Sequence, residues 1–174
     1  MESIMKMARQ VEAWVDHQVS WIESSTSPRM ARGVGLVLAV PSWSVLGVAH
    51  WLTPDPAGFG THRQLGLAGC TVMTLTGWPC PMCGMTTTFA HMGDGEIGAA
   101  FLNQPFGVVL FLMTVAAAIV GTIDLVTGMG AYRKVLKAIG PYEQRMAAGL
   151  LFGLVGGWIW KMVAMHPSTF GLGG

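Results

Sequence analysis

The residues best equipped for chemistry lie in one short turn, Cys80-Pro81-Met82-Cys83-Gly84, with Cys70 ten residues ahead of it. A C-x-x-C turn brings two sulfurs close enough to chelate one ion or to close a small disulfide. Pro81 stiffens the turn. Gly84 permits positive φ and lets backbone N–H groups point at sulfur. Such a turn is half of the knuckle pair that makes a four-cysteine zinc cage. Other ligands would have to complete it, and Cys70 is the first candidate. His91 lies eight residues past Cys83, which on a helix is roughly 12 Å along the axis and too far to share an ion. His50 and His62 remain available through the fold. Met73, Met82, Met85 and Met92 surround the turn, as thioether ligands suited to Cu(I) or as apolar packing.

Two further chemistries compete with metal binding. Cys83 precedes a helix start at Thr86, where the helix dipole would stabilise a thiolate and favour redox work. Glutaredoxins share a C-P-x-C turn, but no βαβ pattern surrounds this one. A c-type haem would need histidine after the second cysteine, where Gly84 stands. A purely structural role is open as well: a Cys70–Cys80 or Cys70–Cys83 disulfide that staples the turn. Three cysteines are an odd number, so they cannot all pair within the chain. Cys70, Cys80 and Cys83 are thus candidate metal ligands, for Zn or Cu, and candidate disulfide or redox partners. No convergent catalytic set accompanies them, so an enzyme is not expected.

The elements that must position this turn are membrane helices. The chain has 174 residues, 52% hydrophobic and 11% charged, too few charges to cover a soluble domain. Its net charge of +1 offers no basic field for nucleic acid. Apolar runs at 33–52, 106–128 and 146–165 are each long enough to cross about 30 Å of hydrocarbon. Pro41 interrupts the first, with Ser42 and Ser44 beside it to re-satisfy freed carbonyls. Asp124 lies one turn from the end of the second, an interfacial residue that reaches water in preference to a proton relay. Lys161, near the end of the third, is placed to snorkel, and Trp158 and Trp160 to join an aromatic belt. Gly149, Gly153 and Gly157 form a G-x-x-x-G-x-x-x-G ridge for close helix packing, against the span carrying Ala116, Ala117, Ala118 and Gly121 or against another subunit.

The remaining segments connect these spans. Residues 1–28 read as an amphipathic helix and hinge, leaving 29–174 as the membrane domain. The connection 53–105 carries the cysteines. Within it, 65–76 reads as one short re-entrant or interfacial helix, 86–92 and 96–102 as helices separated by Gly93-Asp94-Gly95, and Pro105 as the first residue of the next span. Residues 131–143 read as a loop. Arg29, Arg32, Arg133, Lys134, Lys137 and Arg145 flank one side of the spans, whereas 53–105 carries only Arg63. The positive-inside rule then puts the N-terminus in the cytoplasm and the cysteine turn and C-terminus outside, where thiols meet an oxidising environment. The expected fold is an all-α integral membrane protein: three transmembrane helices, an N-terminal amphipathic helix and a helical external connection carrying the C-P-x-C-G turn.

The run Gly77-Trp78-Pro79-Cys80-Pro81-Met82-Cys83-Gly84-Met85-Thr86, with Cys70 ahead and Gly95-Glu96-Ile97, Ala100 and Gln104-Pro105 behind, resembles an uncharacterised bacterial membrane-protein family, domain of unknown function 2752. The resemblance covers about residues 65–120 and implies a bacterial cytoplasmic membrane. It implies no activity. Thr87 stands where that family usually has arginine and Gln104 where it usually has asparagine; losing the arginine removes an anion or carbonyl contact. Together these features point to a small accessory or assembly subunit of a larger membrane complex, with the bilayer and other membrane subunits as partners. The alternative is an external metal or thiol-redox protein.

Overall fold

The computed structural model describes Lys6, residues 9–14, His17 and residues 27–166. The expected amphipathic helix over 1–24 falls largely outside these; the described positions within it are helical. All secondary structure among the described residues is helical. Among the described residues three stretches are long and apolar enough to cross a membrane: α1 (Pro28–Trp51), α5 (Pro105–Thr127) and the Ala131–Met165 run that ends in α7 (Glu143–Met165). Between α1 and α5 lie a 3-10 helix (Thr61–Leu65), α2 (Thr71–Thr76), α3 (Met85–Gly93) and α4 (Ile97–Asn103). Between α5 and α7 lies α6 (Ala131–Ile139).

The first span starts earlier than hydropathy alone suggests. Ser27 Oγ accepts the Met30 N–H (3.3 Å), and Pro28 stands where a missing N–H costs nothing. Pro41 stays within the helix. The Ser44 hydroxyl donates to the Val40 carbonyl (2.8 Å), not to the Val37 carbonyl that Pro41 deprives of its usual donor.

The chain divides into two compact units. The first comprises Met1–Ala39 and Ile119–Tyr142. Here Gly35 and Gly121 meet backbone to backbone. A methyl on Gly121 would lie 2.6 Å from the Ala39 nitrogen and 3.0 Å from the Gly35 carbonyl oxygen. Gly121, on the span that the sequence offers as one of two partners for the glycine ridge, therefore packs on the first span.

Asp124 is fully buried and does not reach water. Its carboxylate accepts the backbone N–H groups of Ala131 and, at 2.8 Å, Tyr132. It thereby caps the start of α6 from seven residues upstream. The expected loop is thus a helix. Tyr132, Val135, Leu136 and Ile139 fall on one side of it at helical spacing, and Arg133, Lys134 and Lys137 on the other.

The second unit comprises Val40–Ala118 and Glu143–Gly174 and contains the whole cysteine connection. The stretch 65–76 is not one helix. Gly66, at φ 74°, closes the 3-10 helix by donating to the Arg63 carbonyl, and a new helix begins only after Cys70. The helices expected at 86–92 and 96–102, the stop at Gly93-Asp94-Gly95 and the start at Pro105 are all present. Gly93 packs on the end of α1, where a methyl would come within 2.8 Å of the His50 nitrogen. Phe89 and Phe111 meet edge to face at 5.3 Å.

The glycine ridge of α7 is used in part. Methyls at Gly153 and Gly157 would lie 2.8 and 2.9 Å from the Phe106 side chain, and the one at Gly157 only 2.6 Å from Gln104 Oε1. Gly149 has nothing within 4 Å. The ridge therefore packs on the first turn of α5 and not on Ala116–Ala118. Gln104 is fully buried there and accepts the Phe106 N–H (3.2 Å), capping α5.

Candidate functional site: the cysteine turn and its clamp

The turn is built from backbone outward. Gly77, at φ 74°, ends α2 by donating to the Met73 carbonyl. Residues 80–83 then close on themselves, with the Cys83 N–H on the Cys80 carbonyl at 2.9 Å. Gly84, at φ 85°, begins α3, and its carbonyl accepts the Thr88 N–H (2.8 Å). Space at Gly84 is as restricted as its dihedral. A methyl there would lie 2.8 Å from the Gly58 carbonyl oxygen and 3.0 Å from Lys161 Nζ.

Four side chains from the end of α7 and just beyond hold the loop by its carbonyls. Trp158 Nε1 donates to Pro79 (2.8 Å), and Trp160 Nε1 to Leu102 (2.8 Å). Lys161 Nζ donates to the Gly58 carbonyl (2.8 Å) and to Asn103 Oδ1 (2.6 Å). His166 Nε2 meets the Gly77 carbonyl (3.1 Å), and the ring lies 4.5 Å from that of Trp78. Asn103 completes the link: its amide donates to the Gly84 carbonyl (3.0 Å) and to Thr88 Oγ1 (2.9 Å). A lysine expected to snorkel is instead 4% exposed and points at the turn. Trp158 and Trp160, expected as an aromatic belt, also carry loop hydrogen bonds. Trp158 and Lys161 are three residues apart, hence on one helix face, and that spacing is the sequence signal for the clamp.

A second tie lies beneath. Thr87 and Thr61, both fully buried, share a hydroxyl hydrogen bond (2.8 Å), and Thr61 Oγ1 also accepts the Asp55 N–H (3.0 Å). The position where the resembled family usually has arginine is here a buried threonine joining α3 to the 3-10 helix.

Cys70 and Cys80 are half-buried and Cys83 is buried. They line one cavity of about 400 Å³, together with Met73, Met82, Met85, His62 and Arg63. Cys70 is the N-cap of α2. The backbone N–H of Met73, helped by those of Val72 and Cys80 and by the Cys80 thiol, holds its pKa below the usual thiol range. Burial pushes the Cys80 thiol up, and the neighbouring Cys70 adds to this. Burial pushes Cys83 up as well, followed by the charges of Cys80 and Cys70, against a smaller opposing effect of Lys161. Cys70 is thus displaced downward and Cys83 upward.

The histidines are engaged elsewhere. His91 Nδ1 pairs with Glu96 (2.6 Å), and His50 Nδ1 meets the Gly93 carbonyl (3.0 Å). His62 Nε2 meets the Ala68 carbonyl (3.1 Å). Among the described residues no three of His, Cys, Asp and Glu converge in a way that could hold a metal ion.

Fold and site together define an all-α membrane protein with, among the described residues, three helical stretches suited to crossing a bilayer and a cysteine-lined turn clamped by α7. A family model described as "Protein of unknown function (DUF2752)" matches residues 70–118, the region in which the resemblance lay. No curated protein and no solved structure matches the chain. The matched region holds all three cysteines and Asn103. Trp158, Lys161 and His166 lie outside it.

Proposed function

We propose that this membrane protein carries a thiol–disulfide exchange site in which Cys70 is the nucleophile and Cys80 the resolving thiol. The observation that supports it is the one cavity that Cys70 and Cys80 line together, with Cys70 at the N-terminus of α2, where the Met73 backbone N–H lowers its pKa, and Cys80 raised by burial. The Cys70 thiolate attacks one sulfur of a substrate disulfide, that S–S bond breaks, and the departing thiolate takes a proton from water. Cys80 then loses its proton to water and attacks the Cys70 sulfur. The second substrate thiolate leaves, and a Cys70–Cys80 disulfide remains. The substrate gains two electrons and the pair loses two. Cys83, buried behind the turn, takes no part. The Lys/Arg distribution favours an external location for this face, on the cytoplasmic membrane of a bacterium, where disulfides persist.

Alkylation of the reduced protein across a pH series tests this. Cys70 should react first, its rate rising at lower pH than that of a free cysteine, and at neutral pH at least about tenfold faster than Cys83. Cys83 as the fastest thiol, or Cys70 titrating like free cysteine, would contradict the assignment. An impermeant reagent applied to intact cells checks the face, since labelling only after lysis would reverse it.

A subunit role in a larger membrane assembly is the second reading, favoured by the uncovered Gly149 end of the glycine ridge. Gentle-detergent native mass spectrometry should show a wild-type complex that Gly149→Leu dissociates. A wild-type protein that runs only as a monomer would count against it.

A further inference from the structure

We propose that α6 lies in the surface of the bilayer and that Lys134, with Arg29 and Arg32 at the start of α1, binds the headgroups of anionic phospholipids there. This surface uses none of the cysteines and does not rest on the exchange reading. The course of the chain puts α6 at the bilayer. Gly128-Met129-Gly130 join it to α5, and the 3-10 turn Gly140–Tyr142 joins it to α7. Both neighbours belong to stretches suited to crossing a membrane. The nine residues of α6 rise about 13 Å, too short to cross as well. A helix tethered so closely at both ends has the bilayer surface within reach along its whole length.

The apolar side of α6 fits that boundary. Val135 and Leu136 on it are 39% and 57% exposed, so the described residues of the chain leave them uncovered. In water that apolar surface would stay hydrated, whereas at the headgroup boundary acyl chains cover it. Tyr132 and Tyr142, the two tyrosines of the chain, bracket the helix, and tyrosine collects at membrane–water interfaces. Asp124 fixes the start of α6 to α5, because its buried carboxylate takes the N–H groups of Ala131 and Tyr132.

The other side carries charge suited to phosphate. From Met129 to Tyr142 the chain has Arg133, Lys134 and Lys137 and no carboxylate. The fold adds two cations to this end from a distant segment. A methyl on Gly128 would lie 3.4 Å from Arg32 Nε and 3.2 Å from the Pro28 carbonyl oxygen, so the start of α1 abuts the α5–α6 link within one compact unit. Arg29 lies one turn before Arg32, and Arg29, Arg32 and Lys134 are all exposed. Arginine and lysine pair with phosphate oxygens, and each cation near the surface adds to the attraction for anionic lipid. A zwitterionic headgroup offsets that attraction with its own ammonium, so the surface selects anionic lipid.

The test uses the delipidated full chain in detergent, with phosphatidylglycerol and phosphatidylcholine of identical acyl chains offered separately and retained lipid read by native mass spectrometry. Phosphatidylglycerol should be held at least about tenfold more tightly than phosphatidylcholine. Arg29→Gln/Arg32→Gln/Lys134→Gln should abolish that preference. The charge-keeping variant Arg29→Lys/Arg32→Lys/Lys134→Arg should retain it. Equal retention of the two lipids by wild type, a preference that survives the neutral variant, or equal losses in the neutral and charge-keeping variants would each overturn the proposal. A photoreactive benzophenone side chain placed at Leu136 checks the seating of α6 in phosphatidylglycerol nanodiscs. It should form adducts with lipid acyl chains; adducts with protein alone, or none, would show that α6 does not lie in the bilayer surface.

Discussion

Gly84→Ala should open the cysteine turn while leaving the three long helices formed. The residue has φ 85°, a conformation that costs an L-residue roughly 1–2 kcal/mol. The added methyl would also lie 2.8 Å from the Gly58 carbonyl oxygen and 3.0 Å from Lys161 Nζ. The lysine tip can shift, but the carbonyl is backbone, held at that spot by the same lysine (2.8 Å). Relieving one clash therefore breaks the clamp, and the two penalties reinforce each other. Limited proteolysis should show new cleavage within 53–84, with helix content by circular dichroism little changed. Gly98→Ala is the control, because nothing lies within 4 Å of that position. Equal protection of the two variants would show that the turn is not held as described.

Lys161→Met should expose Cys83 to alkylation. The substitution keeps most of the side-chain volume and removes the ammonium. Two acceptors then lose their donor, the Gly58 carbonyl and Asn103 Oδ1. A buried acceptor left unpaired costs about 1–3 kcal/mol. Relief of the buried ammonium's desolvation works the other way, by several kcal/mol in a dry site. Global stability is thus a poor readout, and local opening a good one. Without its donor, the Gly58 segment has no tie to α7 through this side chain, and water can reach Gly84 and Cys83. Cys83 alkylation should rise by at least about tenfold, the ratio that corresponds to 1.4 kcal/mol of local opening. Cys83 as protected as in wild type would mean that Trp158 and Asn103 hold the turn without the lysine.

Much of the scaffold was legible because its signals are local. Three apolar runs marked the spans, Pro105 marked a helix start, and Gly93-Asp94-Gly95 marked a stop. The clamp was not legible, because a lysine near a helix end satisfies hydropathy equally well by snorkelling or by turning inward. Only the carbonyls facing it decide, and these come from Gly58 and from Asn103, a side chain more than fifty residues away. Asp124 misled for the same reason: its partners are the N–H groups of Ala131 and Tyr132, in a segment whose basic residues made it read as loop. The neighbour of the glycine ridge was not legible, since Phe106 and Gln104 fill the space against Gly153 and Gly157 and Gly121 meets Gly35. The break at Gly66 was not legible because 65–76 looked continuous, and it is this break that makes Cys70 the N-cap of α2.

The choice of disulfide partner tests the central claim most directly. The protein should be oxidised mildly in its membrane, the free thiols blocked, and the bonded cysteines mapped by mass spectrometry. A Cys70–Cys80 disulfide with Cys83 recovered as the blocked free thiol is the predicted result. A Cys80–Cys83 disulfide within the C-x-x-C turn, with Cys70 free, would contradict it.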